Sequence, residues 1–333
     1  MNRRNTPLQH PTASSEARTP QSPTVVSIGR AQRHRRRGAV TVLALSLPAL
    51  AACQPVNAIV EKLGPSPDTA LLELARQADG DVLALKTFPG EKAGLLDTRR
   101  SQADQLYGEI TRLCGTHPDG SVPTSCRVER QDSVAAAAEN NEEVVKNSSS
   151  QLLRQADSVP EESRDLVVAQ AIDLLALTPT ADPDGLEVPE LDIREPHKSS
   201  VEAARALLDW EYGIVYAADF ARALAPSSRV SEVDSAIIKH EQAITQLREF
   251  LDQQGQAPAA APAYQPAGIE FPSDGAGAMN YLDTLQKLSF DFWRAQTVEA
   301  AEQAHSGAFG SKEGSPKSQW RDWVAQTAAL WAK

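Results

Sequence analysis

The chain has 333 residues with 33 basic and 44 acidic side chains, a formal charge of −11 and 5% aromatic residues. An acidic surface repels phosphate backbones and anionic headgroups, which argues against nucleic acid as a partner. There is no glycine-rich phosphate loop and no repeated strand-helix alternation, which argues against the nucleotide-binding α/β classes.

Met1 to Arg30 is polar and rich in Pro, Ser and Thr; then come the basic cluster Arg33-His34-Arg35-Arg36-Arg37, the apolar segment Gly38 to Leu47, and Leu50-Ala51-Ala52-Cys53. A basic cluster, a short apolar segment and a small-residue cleavage site form the layout of an export signal. From Gly38 to Ala52 about fifteen residues are largely apolar, short of the roughly 20 needed to cross a bilayer. An uncleaved signal anchor is the alternative, because cationic residues on the cytoplasmic flank suit either. Arg36-Arg37 matches a twin-arginine signal poorly, since Gly38-Ala39-Val40 follows it. The segment resembles the lipobox of bacterial lipoproteins, whose Cys takes a diacylglyceryl group and becomes the first residue. That resemblance implies cleavage before Cys53, lipidation of Cys53, and a place at the extracytoplasmic face of the cell membrane. Loss of residues 1–52 removes eight Arg and one Glu, leaving 25 basic and 43 acidic residues and a charge of −18. A body that acidic has no other attraction to a membrane, so the lipid must anchor it, at about 0.8 kcal/mol per buried methylene.

Cys114 and Cys126 then remain, and outside the cytoplasm such a pair is expected to form a disulfide. The turn formers Gly115 to Ser125 let the chain fold back between them. Zinc held by the pair with His117 is the weaker reading, because a structural zinc site wants four ligands.

The rest of the chain reads as all-α. Ala, Leu, Gln, Glu and Arg dominate with a spacing near 3.6, which predicts helices over 68–86, 97–114, 127–157, 161–177, 198–224, 229–254, 275–305 and 316–332. The acidic, proline-bearing stretch from Thr178 to Pro196 breaks them into two sets of four. The expected organisation is a leader over 1–52, a tether over 53–67, a helical domain over 68–178, a linker over 179–197 and a second helical domain over 198–333.

In the second domain the periodicity places single residues. Val201, Ala204, Leu208, Glu211, Val215 and Ala218 share one stripe, and Val233, Ile237, His240, Ile244, Leu247 and Leu251 share the next. Glu211 lies about as far before the turn at Pro226-Ser227 as His240 lies after it, so at about 1.5 Å per residue an antiparallel pair brings them level. A buried Glu and a buried His at one level should hydrogen-bond, because leaving either unpaired costs several kcal/mol.

Trp210-Glu211-Tyr212 through Tyr216, then His240 and Leu247, then the crossover through Ala257-Pro258, Pro262-Ala263-Tyr264 and Phe271-Pro272, lead to a third helix and a short tryptophan-bearing fourth. On these residues, 198–332 resembles the ferritin-like domain of actinobacterial exported lipoproteins, a family of largely uncharacterised function. The resemblance implies a C-terminal ferritin-like four-helix bundle preceded by a second helical domain. Di-iron sites in such bundles take a Glu from each of two helices and a Glu-x-x-His from each of the other two. Here Ile237 stands three residues before His240, Gln286 stands where the third helix needs Glu, and the fourth helix has no His. Glu211 with His240 is therefore a core polar pair, or a weak metal candidate. One Glu-x-x-His, Glu302 and His305, sits at the end of the third helix before Gly307, where an exposed helix end is the plainer reading. Phe290, Phe292, Trp293 and the C-terminal tryptophans are expected to fill the core rather than line a pocket. The expectation is a non-enzymatic binding or assembly lipoprotein with no cofactor and an envelope protein as partner. The alternatives are a redox protein holding iron or manganese at Glu211 and His240, and a solute-binding lipoprotein.

Overall fold

A computed structural model describes Thr24–Val25 and residues 64–88, 94–130, 135–178, 187–265, 269–305 and 314–332. The apolar leader segment and Cys53 lie outside these residues. Among the described residues no helix is long and apolar enough to cross a membrane.

Eight α-helices account for most of the described chain: α1 (Thr69–Leu85), α2 (Leu95–Cys114), α3 (Asn141–Gln155), α4 (Arg164–Ala176), α5 (Lys198–Arg222), α6 (Val230–Gln253), α7 (Gly275–His305) and α8 (Pro316–Trp331). The sole strand pairing among the described residues is parallel and two residues long, between Thr24–Val25 (β1) and Tyr264–Gln265 (β2). Pairing that short supplies too few hydrogen bonds to hold an element by itself.

Side chains set where most helices begin. Asp68 caps α1 by accepting from the Leu71 amide at 2.9 Å, and Ser315 caps α8 by accepting from the Ser318 amide at 3.3 Å, ahead of Pro316. The third helix starts at Asn141, well inside the helix expected over 127–157. The reason is local: Asn140 accepts from the Glu143 amide at 2.9 Å while Glu143 reaches back to the Glu139 amide at 2.7 Å. That reciprocal cap fixes the start of the helix. The chain just before it runs instead along α1, with the Ala136 amide donating to the Gly80 carbonyl at 3.1 Å.

The first set packs α1 against α2 and α3, and α4 against α2 and α3; the second packs α5 against α6 and α7, and α7 against α8. Helix α4 also packs on α7 and α8, so it lies between the sets. Its buried Val167, Val168, Ala171, Ile172 and Leu174 point to more than one side, as expected of a helix covered on opposite faces. Buried residues of both sets, from Leu71 and Ile172 to Leu247, Trp293 and Trp320, belong to one continuous hydrophobic cluster. Ion pairs of Asp165 with Arg294 and of Arg164 with Glu302, the latter at 2.8 Å, span the same junction.

The described part of the expected linker, 187–197, is non-helical and closely packed. Val188, Leu191 and Ile193 are buried in the common cluster. Gln242 and Gln246 of α6 accept from the amides of Val188 and Leu191 at 3.2 and 2.9 Å, and the Trp323 indole donates to the Pro189 carbonyl at 2.8 Å. Side chains thereby satisfy backbone groups that a buried loop would otherwise leave unpaired.

Candidate functional site

Glu211 and His240 occupy the buried stripes of α5 and α6 and meet across them, with His240 Nδ1 2.5 Å from Glu211 Oε2. Helix α7 adds a partner that periodicity did not expose: the indole Nε1 of Trp293 donates to Glu211 Oε1 at 2.7 Å. Helix α8 adds a fourth element, the ring of Trp331, stacked on the imidazole with centroids 4.2 Å apart and planes 8° apart. The carboxyl is fully buried, and each of its oxygens faces a nitrogen. In the neutral imidazole, an Nδ1 that faces a carboxylate oxygen carries the hydrogen and Nε2 keeps its lone pair.

Nε2 has no hydrogen-bond partner among the described residues, and the imidazole lines a cleft of about 360 Å3 between α5, α6, α7 and the end of α8. Ile214, Val233, Leu282, Leu285 and Leu330 make the walls apolar. Glu232, Lys239, Asp283 and Gln286 stand around them, and Glu232 is paired with Arg229 at 2.5 Å. The cleft hydroxyl of Ser235 donates to the Ser231 carbonyl of its own helix at 3.0 Å, not to His240. Gln286 is exposed and lines this cleft at the position where a di-iron site would need Glu.

The donor set does not fit a di-iron centre. Among the described residues Glu211 is the one carboxyl hydrogen-bonded to His240, and a metal there would displace the imidazole or the Trp293 indole from it. Among the described residues no three His, Cys, Asp or Glu side chains converge as a ligand group. The Glu302 carboxyl is engaged by Arg164, and the side chain of His305 lies outside the described residues.

Cys114 and Cys126 are joined in a disulfide, with Cα atoms 6.3 Å apart. Both sulfurs are thereby used, so the alternative of zinc with His117 is set aside. His117 is exposed on the intervening turn, where its amide donates to the Ser121 carbonyl at 2.8 Å. Ser125 Oγ donates to the Pro65 carbonyl at 2.7 Å, fastening the end of the tether to the closed loop.

A second polar centre escaped the reading of the sequence. Asp81 Oδ2 accepts from Arg99 Nε at 2.9 Å, from Arg99 Nη2 at 2.6 Å and from Ser148 Oγ at 2.5 Å. Arg99 Nη1 donates to Gln102 Oε1 at 2.5 Å, and Gln102 and Gln170 exchange bonds between side-chain amides and backbone carbonyls at 3.0 and 3.1 Å. The network ties α1, α2, α3 and α4 together in the core. Burial pushes the Asp81 carboxyl above the usual carboxylate range and the Arg99 guanidinium below its usual range, each opposed by the attraction of the other. A signal was present: Arg99 lies on the same apolar stripe as Leu95, Ala103 and Leu106, as Glu211 does on its own.

Tyr264, in the crossover, is buried with its ring over Gly213, and its hydroxyl accepts from the Ala261 amide at 2.8 Å while lying 3.4 Å from Asp209 Oδ1. Phe290 and Phe292 are half-buried against the core and Trp293 is fully buried, with Phe292 stacked on Trp210 at 4.2 Å.

Comparison with known family models, curated proteins and solved structures finds no match. What the chain does must therefore be argued from its own residues.

Proposed function

We propose that this is an exported lipoprotein, anchored through Cys53 at the extracytoplasmic face of the cell membrane, whose helical body binds an envelope partner or ligand and performs no catalysis. Residues 198–333 are read as a ferritin-like four-helix bundle without a complete di-iron site. The anchor rests on the Leu50-Ala51-Ala52-Cys53 segment behind its basic and apolar leader.

The observation that carries binding over catalysis is the state of the Glu211–His240 pair. Its geometry orients an imidazole, as in a catalytic dyad, but the nearby Ser235 hydroxyl is turned to the backbone of its own helix. With the Ser235 hydroxyl so engaged, the imidazole is read here as a recognition element for a bound molecule. The cleft above it, about 360 Å3, falls within the range of roughly 300–1,000 Å3 typical of ligand sites.

The test is metabolic labelling of cells with an alkyne fatty acid, followed by fractionation. The wild-type chain should carry the label and partition with the membrane, and Cys53→Ser should lose both. An unlabelled wild-type chain in the soluble fraction overturns the reading.

A further inference from the structure

The geometry points to a specific ligand class for the cleft: a small neutral apolar molecule bearing one hydroxyl, whose O–H donates to Nε2 of His240. This rests on the reading of the body as a binding protein and is independent of the lipid anchor.

The acceptor is prearranged. Glu211 holds Nδ1 at 2.5 Å and Trp331 holds the ring face by stacking at 4.2 Å, so little rotational freedom remains for a ligand to remove. The carboxyl behind the ring is itself fixed by the Trp293 indole. His240 is 6% exposed and lines the cleft beside the apolar side chains of Ile214, Val233, Leu285 and Leu330.

The same geometry selects the head group. A carboxylate or phosphate would bring acceptor oxygens against the lone pair of Nε2, with Glu211 behind it; at the rim Glu232 and Asp283 stand beside Lys239 and Arg229, so the rim charges offset one another. An ammonium has three N–H donors; Nε2 satisfies one of them, and the rim carboxylates Glu232 and Asp283 already face Arg229. A hydroxyl has a single donor, which Nε2 satisfies. The walls of Ile214, Val233, Leu282, Leu285 and Leu330 then require an apolar body, and a volume at the lower end of the usual range admits one ring or a short chain.

The experiment measures binding of 4-butylphenol, its O-methyl ether 4-butylanisole, and 4-butylbenzoate to the detergent-solubilised full chain by calorimetry. The phenol should bind saturably and about tenfold tighter than the ether, the value of one hydrogen bond made without a competing solvent partner. The benzoate should bind least. His240→Phe should erase the difference between phenol and ether, while Ala236→Trp, at an exposed position lining the cleft, should block both. In 15N-histidine spectra the phenol should shift the Nε2 resonance of His240, a readout that does not depend on any variant folding. Equal affinity for phenol and ether, failure of both to bind, binding that survives Ala236→Trp, or an unmoved Nε2 resonance each overturns the proposal. Because lipidation is read in cells and this binding on purified protein, failure of one leaves the other standing.

Discussion

His240 and Glu211, 29 positions apart in the chain, face each other at 2.5 Å in the core, and the carboxyl oxygen that the imidazole leaves over takes the indole hydrogen of Trp293. Three side chains from three helices thus satisfy one another away from water. Glu211→Gln keeps the shape but turns an amide N–H toward one of two N–H donors, and should lower stability by about 1–3 kcal/mol. His240→Leu should act in the same direction by leaving Oε2 without a donor. Denaturant midpoints measure both. Neither substitution should alter the iron or manganese content of the purified protein, and metal lost on mutation would refute the structural role.

Asp81 and Arg99 form a buried ion pair at 2.6 Å, with side chains 2% and 1% exposed. Removing one partner strands the other charge, so Asp81→Ala should cost about 3–5 kcal/mol. Replacing both with apolar residues, as in Asp81→Leu with Arg99→Met, should cost much less, because no charge then remains buried. A double-mutant cycle on unfolding free energies checks this; a double variant as unstable as Asp81→Ala would contradict it.

Tyr281 is buried, its hydroxyl has no hydrogen-bond partner among the described residues, and burial pushes its pKa from 10.0 to about 12. A folded-state value above the unfolded one means the folded chain keeps its proton longer. Its contribution is therefore whole below pH 10 and lost as pH rises through about 12. Tyr281→Phe should flatten the fall in stability between those values and leave stability at pH 7 unchanged or improved, since it removes an unpaired polar group. Denaturant unfolding of both proteins across the alkaline range provides the comparison.

The Cys114–Cys126 disulfide closes a loop of sequence separation 12. Its loss through Cys114→Ser with Cys126→Ser should lower stability by roughly 3 kcal/mol in the chain-entropy picture. The same change should free the tether, because Ser125 next to Cys126 holds the Pro65 carbonyl. Protease cleavage near residue 65, followed by mass spectrometry, should be faster in the variant, and an unchanged cleavage rate would contradict the clamp.

Much of the helical layout was legible in the chain itself. Of the stripe Val233, Ile237, His240, Ile244, Leu247 and Leu251, all are buried except Ile244, which is half-buried against the core, and the C-terminal tryptophans Trp320, Trp323 and Trp331 are buried as expected. The start of α3 was not legible, because alanines favour a helix wherever nothing competes, and the competitors were the Asn140–Glu143 cap and the bond from Ala136 to Gly80.

By itself the sequence determined that the chain is helical, most of the helix positions, and the level meeting of Glu211 with His240, because period and distance from a turn are local quantities. Only the tertiary structure decided that Trp293 completes that pair, that Trp331 stacks on it, that Asp81, Arg99 and Ser148 converge, and that α4 joins both helix sets in one core. A hydrophobic stripe states that a face must be covered, since water is expelled from any apolar surface alike. Which distant face covers it depends on packing and hydrogen-bond geometry between residues that no local period connects.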